Sequence, residues 1–316
     1  MKTDVPDQVR LLALIRRHGT LAAAADELGI TSAAVTQRLA KAERDWGVTL
    51  VARSTRGASL TPAGAVLAPY GEVIDRQACA AADAFAAYRG DTAGRLRIGT
   101  FQAAALHLLP PALTALRHRH PDADLSVVDA PSDRAVGAVA DGELDLAVFA
   151  TYGVPVPERP EIRITHLLTD PMVVVLPDDH RLARSGPGPL RLAQLRQETW
   201  VLIRAGHVAR AQFDRAAHQA GFTPHVRFES ESYDVAQALV ATGIGVALVS
   251  QLALTTPPGT TARPLRAPRL HREIQAVAPA DPGFNRLTGS FLQLLIEVSH
   301  ELERSQARNR HEHVRP

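Results

Sequence analysis

Short polar side chains followed by basic ones share one face of a helix that is predicted near the start of this 316-residue sequence. The residues on and around this face are Thr31, Ser32, Ala33, Thr36, Gln37, Arg38 and Lys41. Hydroxyl and amide groups near the start of such a helix can hydrogen-bond to base edges in the major groove, and cations further along can meet phosphate. The order of residue types therefore predicts contact with double-stranded DNA, with Ser32, Thr36 and Gln37 facing the bases.

Three short helices are predicted to position that face. Apolar residues at helical spacing form a first helix that ends at Gly19, and a second helix runs from an N-cap at Thr20 to Gly29. Thr31 is the predicted N-cap of the third helix, whose inner stripe has helical spacing. That stripe consists of Val35, Leu39, Ala42 and Trp46. The connection between the second and third helices is as short as a helix-turn-helix requires.

A basic turn follows the three helices. Arg53 and Arg56 lie beside Gly57, between two short runs of extended sequence. This pattern predicts a hairpin wing that reaches the DNA backbone or minor groove. The alternative is that both arginines are solvated loop charges. Residues 1–60 carry nine Lys and Arg against six Asp and Glu, so the excess positive charge of the chain lies where a polyanion would bind.

A long helix is predicted after the wing. Thr61 is its N-cap, Pro62 occupies its first turn, and Pro69 is a predicted kink. Its alanine-rich sequence allows another helix to approach closely. Cys79, the only cysteine, excludes an internal disulfide and is predicted to be a buried structural thiol on this helix.

Strand-like and helical runs alternate from Arg95 onwards. The predicted strands are Leu96–Thr100, Leu125–Val128, Asp145–Ala150, Met172–Leu176, Trp200–Ile203, Val226–Phe228, Gly245–Val249 and Glu273–Val277. This alternation predicts an open α/β sheet in two subdomains. The Pro-rich segment Val154–Pro160 is the predicted crossover between them, and the polar segment 303–316 is predicted to be disordered.

Residues Gly19–Gly64 resemble the DNA-binding end of LysR-type transcriptional regulators. The matching positions are Ala24, Ala25, Leu28, Thr31, Ala34, Val35, Thr36, Leu39, Glu43, Gly47, Leu50, Arg53, Arg56 and Leu60–Gly64. Thr36, Ala42 and Val51 replace the usual Ser, Leu and Phe, and these changes conserve packing and hydroxyl chemistry.

Residues 94–302 resemble the periplasmic-binding-protein-like effector domain of the same family. The matching motifs are GRLRIGT, GELDLAVF, PMVVVLPDDHRLA and QALVATGIGVALVS. Ser250 ends the last motif, where the family usually has Pro.

The resemblance implies a fold and a set of partners. The implied fold is a winged helix-turn-helix in residues 1–60, a dimerising linker helix in 61–90 and a two-lobed α/β effector domain in 94–302. The alternative for the linker helix is that it packs on its own subunit. The implied partners are promoter or operator DNA, a small-molecule effector, further copies of the chain in a homodimer or homotetramer, and RNA polymerase.

In folds of this kind, ligands bind between the lobes, at the carboxyl ends of strands and the N-termini of helices. Carried over to this sequence, the effector-binding residues are Thr100, Phe101, Gln102, Arg204, His207, Glu229, Ser232 and Tyr233. The basic residues favour a carboxylate, whereas Glu229 and Glu231 favour an amine, so an amphoteric effector satisfies both sets. The alternative is that Glu229 and Arg204 pair with each other or with surface partners.

Patterns that would indicate other classes of protein are missing from the sequence. No apolar run approaches the roughly 20 residues of a membrane span, and the N-terminus has no signal-peptide core, which predicts a cytoplasmic protein with no membrane partner. No nucleophile elbow, paired carboxylates or zinc-spaced cluster occurs, so no enzyme activity, cofactor or metal is predicted. The competing classes are an α/β solute-binding or catalytic protein with an accessory helix-turn-helix, and a structural nucleoid protein.

Overall fold

The computed structural model describes residues 4–54, 57–89, 94–186, 188–281 and 285–312. Its helices are α1 (Val5–His18), α2 (Leu21–Leu28), α3 (Ser32–Trp46), α4 (Pro62–Arg89), α5 (Gln102–His107), α6 (Leu109–Arg119), α7 (Ser132–Ala140), α8 (Val208–Gln219), α9 (Tyr233–Ala241) and α10 (Arg286–Glu312). None of the helices within these ranges is both long and apolar enough to cross a bilayer.

The strands begin with a hairpin in the first part of the chain and continue in the α/β part. They are β1 (Val51–Ser54), β2 (Gly57–Leu60), β3 (Arg95–Thr100), β4 (Asp124–Asp129), β5 (Leu146–Thr151), β6 (Ile162–Pro177), β7 (Leu190–Arg191), β8 (Thr199–Ile203), β9 (His225–Ser230), β10 (Val246–Ser250), β11 (Thr260–Ala267) and β12 (His271–Pro279). The chain divides into two compact units, with the main boundary just after α4; the short segment Asp141–Glu143 is grouped with the first unit.

The first unit starts as the predicted helix-turn-helix. Thr20 and Thr31 cap α2 and α3, since each hydroxyl accepts a hydrogen bond at 3.2 Å from the backbone N–H three residues on. The first three helices end at Gly19, Gly29 and Gly47, each in the left-handed backbone conformation. The ends at Gly19 and Gly29 agree with the prediction from sequence. The helices are therefore delimited by local signals at both ends.

Apolar side chains from α1, α2, α3, the hairpin region and the start of α4 form the core of this unit. Its buried members are Leu11, Leu12, Leu14, Ile15, Ala24, Ala25, Val35, Leu39, Ala42, Leu50, Val51, Ala58 and Ala68. Trp46, predicted to belong to the inner stripe of α3, is 38 % exposed. It lies in the last turn of the helix, and its indole Nε1 donates to Gln8 Oε1 at 2.9 Å, which satisfies its polar atom at the surface.

Helix α4 begins as predicted, with Pro62 as its first residue and Thr61 Oγ1 accepting from the Gly64 N–H at 3.2 Å. It continues through Pro69 to Arg89 as one helix of 28 residues.

Helix α1 packs on the first half of α4. The guanidinium groups of Arg10 and Arg16 form ion pairs with the carboxylates of Asp75 and Glu72. Because α1 has 14 residues and α4 has 28, α1 covers only part of α4. Cys79, one turn beyond Asp75, is exposed, so the prediction of a buried thiol is wrong for the single chain.

The second unit is an open α/β sheet in two lobes. The strand order is β4-β3-β5-β12-β6 in the first lobe and β11-β6-β10-β8-β9 in the second. Strands β3, β4 and β5 are parallel to one another, and so are β8, β9 and β10. Helices α5, α7, α8 and α9 follow the carboxyl ends of β3, β4, β8 and β9, an arrangement in which ligands bind at those ends.

Strand β6 belongs to both lobes. It pairs with β12 up to Pro171 and with β10 and β11 from Met172 onwards. The chain returns to the first lobe between β11 and β12. The predicted crossover in Val154–Pro160 is therefore wrong, because that segment joins β5 to β6 within the first lobe. Because β6 continues as one strand from the first lobe into the second, no change in sequence composition marks the crossing between the lobes.

Helix α10 reaches Glu312 and includes most of the segment 303–316 that is predicted to be disordered. The prediction is wrong over residues 303–312, because the Glu, Arg, Gln and Ala of this segment favour helix over coil as a continuation of α10. Residues 313–316 lie outside the described residues.

Candidate DNA interface and effector cleft

The exposed face of α3 carries the residues predicted to contact DNA. Thr31, Ser32, Ala33, Gln37, Arg38 and Lys41 are exposed, and Thr36 is half-buried. The Thr31 hydroxyl is engaged as the N-cap of α3. Within the described part of the chain, the side chains of Gln37 and Arg38 have no hydrogen-bond or ion-pair partner. Both groups are open to solvent on the face that would enter a major groove.

The predicted phosphate contacts differ in their present partners. The Lys41 ammonium contacts the carboxylate of Asp4, and both side chains are about half exposed. Water and salt screen such a pair, so it contributes little to stability, and a phosphate can replace the carboxylate. Arg53 lies in β1, but its side chain and the whole of Arg56 lie outside the described residues.

Glu43 fixes the wing to α3. Its Oε1 accepts hydrogen bonds from the backbone N–H groups of Leu50 at 2.9 Å and Val51 at 3.3 Å. The other strand of the wing is held at the α1–α2 turn, where the Ala58 N–H donates to the Gly19 carbonyl at 2.7 Å. The Glu43 carboxylate thus holds the wing to α3, and a backbone hydrogen bond holds it to the α1–α2 turn.

The predicted effector residues of the first lobe lie where β3 ends and α5 begins. Thr100 is buried, and its hydroxyl donates to the Phe101 carbonyl at 3.4 Å. Gln102 crosses to the second lobe, where its Nε2 donates to Asp234 Oδ2 at 3.0 Å and its Oε1 accepts from Ser232 Oγ at 3.4 Å. We call these two hydrogen bonds the interlobe bridge, since they join the N-termini of α5 and α9.

His207 is the N-cap of α8 in the second lobe. Its Nδ1 accepts from the Ala209 N–H at 3.1 Å, so a neutral ring carries its proton on Nε2. Burial lowers the pKa of His207, and the positive charge of Arg204 lowers it further. The neutral ring is therefore favoured at neutral pH and offers Nε2–H as a donor. The ring meets that of Tyr152 edge-on, with centroids 6.1 Å apart.

Arg204 and Glu229 are both paired within the second lobe. Arg204 Nε lies 2.6 Å from Glu231 Oε1. Glu229 Oε1 accepts from Arg210 Nη1 at 2.7 Å, and this hydrogen bond lowers the pKa of Glu229. The structure thus shows the alternative left open by the sequence, in which Arg204 and Glu229 each pair with a surface partner and not with each other.

A buried polar cluster lies where β6 and β12 connect the lobes, and the sequence analysis did not identify it. We call it the hinge cluster, and its members are Phe101, Tyr152, Asp170, Tyr233, Ser250 and Arg272. Arg272 is 3 % exposed. Its Nε donates to Asp170 Oδ2 and its Nη2 to Ser250 Oγ, each at 2.8 Å. Asp170 Oδ1 accepts from the Leu252 N–H at 2.8 Å, so the ion pair binds β12, β6 and the end of β10 together.

Aromatic rings surround the Arg272 guanidinium. Its central carbon lies 5.0 Å from the ring centroid of Phe101 and 5.9 Å from that of Tyr233, within cation–π range. Tyr152 Oη lies 3.5 Å from Arg272 Nη1, at the long limit for a hydrogen bond. The Tyr233 hydroxyl is buried beside the Tyr152 phenol and makes no hydrogen bond of ordinary geometry among the described residues. Burial raises the pKa of Tyr233, so this phenol keeps its proton.

Strand periodicity contains the signal for the buried ion pair. Arg272 lies two residues before the buried Ile274 of β12, and Asp170 lies two residues before the buried Met172 of β6. Side chains two apart on a strand share a face, so each charge falls in phase with the core. A buried charge must be paired, so the periodicity marks Arg272 and Asp170 as members of buried ion pairs without identifying the partner of either.

Comparisons with known proteins match both units. The model of the bacterial regulatory helix-turn-helix protein, lysR family, covers residues 6–65, and that of the LysR substrate binding domain covers residues 89–299. The chain is 28 % identical to the transcriptional dual regulator GltC of Bacillus subtilis, over 86 % of this chain and 90 % of GltC. It is 32 % identical to the HTH-type transcriptional regulator ShiR of Corynebacterium glutamicum, over 77 % and 82 % of the two chains.

Solved structures share the fold. CbnR, a LysR family transcriptional regulator, aligns with a TM-score of 0.63 at 21 % identity, over 93 % of this chain and 99 % of CbnR. Full-length CbnR complexed with its target DNA aligns over the same shares with a TM-score of 0.65. The two family models together span nearly the whole described chain. The chain therefore belongs to the LysR family and is a DNA-binding transcriptional regulator with an effector-binding domain.

Proposed function

We propose that α3 enters the major groove of operator DNA and that the wing contacts the flanking backbone or minor groove. Ser32, Thr36 and Gln37 face base edges, and Thr31 and Ala33 lie against the DNA at the start of the helix. Arg38 and Lys41 meet phosphates, and Arg53 and Arg56 act from the wing. The observation that carries this proposal is that Gln37 and Arg38 are exposed and their side chains have no partner within the described residues. The opposite face of α3 is buried in the core, except for Trp46 in the last turn. The related CbnR has been solved on its target DNA, which supports the same use of the domain.

Operator binding is proposed to require a homodimer or homotetramer, because one recognition helix buries little surface and symmetric pairs present two half-sites. Helix α4 offers an apolar face for this contact. Val66 is 66 % exposed and Tyr70 is 63 % exposed, and residues four apart are neighbours on a helix surface. This face remains open although α1 packs on the same half of α4.

A small-molecule effector is proposed to bind between the lobes, at the interlobe bridge and the hinge cluster. Thr100, Phe101 and Gln102 approach it from the first lobe. The second lobe contributes His207, Ser232 and Tyr233, with Arg204 and Glu229 at its rim in their ion pairs. A ligand that enters beside Gln102 competes with Ser232 and Asp234 for its amide, so binding changes how the lobes are held together.

The protein is proposed to act by binding alone, without catalysis. Its DNA target places it with the chromosome in the cytoplasm, and contact with RNA polymerase carries its effect to transcription.

The DNA proposal is tested by recovering genomic fragments that the purified chain retains and measuring their mobility shift. Wild-type chain should retain promoter fragments selectively. The loss of a good base contact costs about 1–3 kcal/mol, so Gln37→Ala should bind such a fragment roughly 5- to 150-fold more weakly. Gln219→Ala is the matched control, since Gln219 is an exposed glutamine at the end of α8. Operator binding by a Gln37→Ala, Arg38→Ala chain equal to that of the control would refute the docking of α3.

A further inference from the structure

We infer that Tyr233, Tyr152 and Arg272 of the hinge cluster bind a carboxylate of the effector. The inference rests on the proposed effector site and assigns the chemical class of its ligand. Its starting point is the buried Tyr233 hydroxyl, which makes no hydrogen bond of ordinary geometry among the described residues and has the Tyr152 phenol, itself a donor, as its polar neighbour. A buried donor without a partner is costly, and such groups in native proteins call for a functional explanation.

Hydrogen-bond donors exceed acceptors around this hydroxyl. Arg272 uses Nε for Asp170 and Nη2 for Ser250, which leaves Nη1 with only the long contact to Tyr152. An oxygen placed among the two phenols and Nη1 accepts from all three without breaking the ion pair. A charged acceptor gains more from such donors than a neutral one does.

His207 provides a further donor at the same junction of the lobes. Its ring lies edge-on to that of Tyr152, and its Nδ1 is engaged by the Ala209 N–H, so Nε2–H is the nitrogen left to donate. It also begins α8, and the positive end of a helix dipole favours an anion. These donors therefore favour a ligand with several acceptor atoms.

Acidic groups near this point are already engaged. Asp170, Glu231 and Asp234 each accept from a side chain of the second unit itself. Asp133 lies in the first turn of α7, where the helix dipole stabilises its charge. An amine that binds Asp170, Glu231 or Asp234 would have to displace a side-chain partner, and at Asp133 it would replace a favourable helix-dipole interaction, whereas a carboxylate would do neither.

Ser250 holds the guanidinium in place for this role. The family pattern usually has Pro at this position, and proline has no side-chain acceptor. With Asp170 on Nε and Ser250 on Nη2, the plane of the Arg272 guanidinium is fixed. Arg272 belongs to β12 of the first lobe and Tyr233 begins α9 of the second, so a shared carboxylate favours one arrangement of the lobes.

The test uses the full-length chain and four small probes, which are acetate, benzoate and their neutral amides, acetamide and benzamide. Sodium chloride equalises the ionic strength. We expect both acids to raise the thermal unfolding midpoint of the second unit and the amides to leave it unchanged. Tyr233→Phe removes only the phenol hydroxyl, so the variant should fold and should bind the acids at least about tenfold more weakly.

Tyr152→Phe is expected to weaken acid binding similarly, and Gln219→Ala, at an exposed position at the end of α8, is the control. The inference is overturned if the wild-type chain does not distinguish acids from amides, or if Tyr233→Phe binds acids as tightly as wild type. If either outcome occurs while operator binding is intact, the carboxylate site is refuted and the proposed function as a regulator is not. Conversely, acid binding through Tyr233 by a chain that retains no operator would refute the proposed function and leave the carboxylate site intact.

Discussion

Removal of the Asp170 carboxylate is expected to destabilise the second unit more than removal of the whole buried ion pair. Asp170→Ala leaves the Arg272 cation at 3 % exposure without its counter-ion and the Leu252 N–H without its acceptor. Breaking one side of a buried pair typically costs about 3–5 kcal/mol, so we expect a loss of about 4 kcal/mol in the free energy of unfolding.

The double variant Asp170→Leu, Arg272→Met replaces both charges by side chains of similar volume. Such replacements are often neutral. Here the Leu252 N–H still loses its acceptor, so the expected loss is about 1–3 kcal/mol. The double variant should therefore be more stable than the single one.

Intrinsic fluorescence can follow the second unit alone. The sequence has two tryptophans, and Trp200 is fully buried in the second unit. In a Trp46→Phe background, the fluorescence of Trp200 follows urea unfolding of this unit alone. If the slope of the unfolding free energy against urea concentration is the same in all variants, their free energies can be compared. Asp214→Ala, which breaks the partly exposed pair with Arg210, is the control and should cost no more than about 0.5 kcal/mol. A single variant at least as stable as the double variant would refute the reasoning.

Three other outcomes follow from the described contacts. Glu43→Ala leaves two N–H groups of the wing without their acceptor and should lower the stability of the first unit by about 1–3 kcal/mol, measured by urea unfolding at Trp46. Tyr70→Asp places a charge in the proposed α4 contact and should dissociate the oligomer in sedimentation, whereas a wild-type chain that is monomeric at micromolar concentration would contradict that contact. Because the pKa of His207 is lowered in the folded chain, the unfolded chain binds more protons as the pH falls below the ordinary value of about 6.5. Acidification from about pH 7.5 to 5.5 should therefore destabilise wild type more than His207→Asn, which keeps an N-cap acceptor, and equal shifts in the unfolding midpoint would contradict this.

The helix-turn-helix could be predicted in detail because its signals are local. Thr20 and Thr31 act on backbone groups three residues away, and Gly19 and Gly29 end helices through their own backbone conformation. Each of these effects is contained within a few consecutive residues. The exposed and buried faces of α3 then follow from helical spacing alone, except at Trp46 in the last turn.

The effector unit was predictable as a class of fold but not at its hinge. The ion pair between Asp170 and Arg272 joins residues 102 apart in sequence, and no local pattern states which strands become neighbours. Strand β6 also lies in both lobes, so the crossing has no turn or change in composition to mark it. The family resemblance assigned Arg204 and Glu229 to the effector cleft. It could not show that Arg204 forms an ion pair with Glu231, or that Glu229 forms one with Arg210.

The base specificity of Gln37→Ala tests the central claim most directly. Dissociation constants of wild type and Gln37→Ala would be measured by fluorescence anisotropy for every single-base change in one operator half-site, at one salt concentration. The wild-type chain should lose about 1–3 kcal/mol on substitution of the base pair that Gln37 contacts. Gln37→Ala should lose discrimination at that pair only and keep it elsewhere. Uniform weakening at all positions, or a specificity profile identical to that of wild type, would show that α3 does not recognise the operator through Gln37.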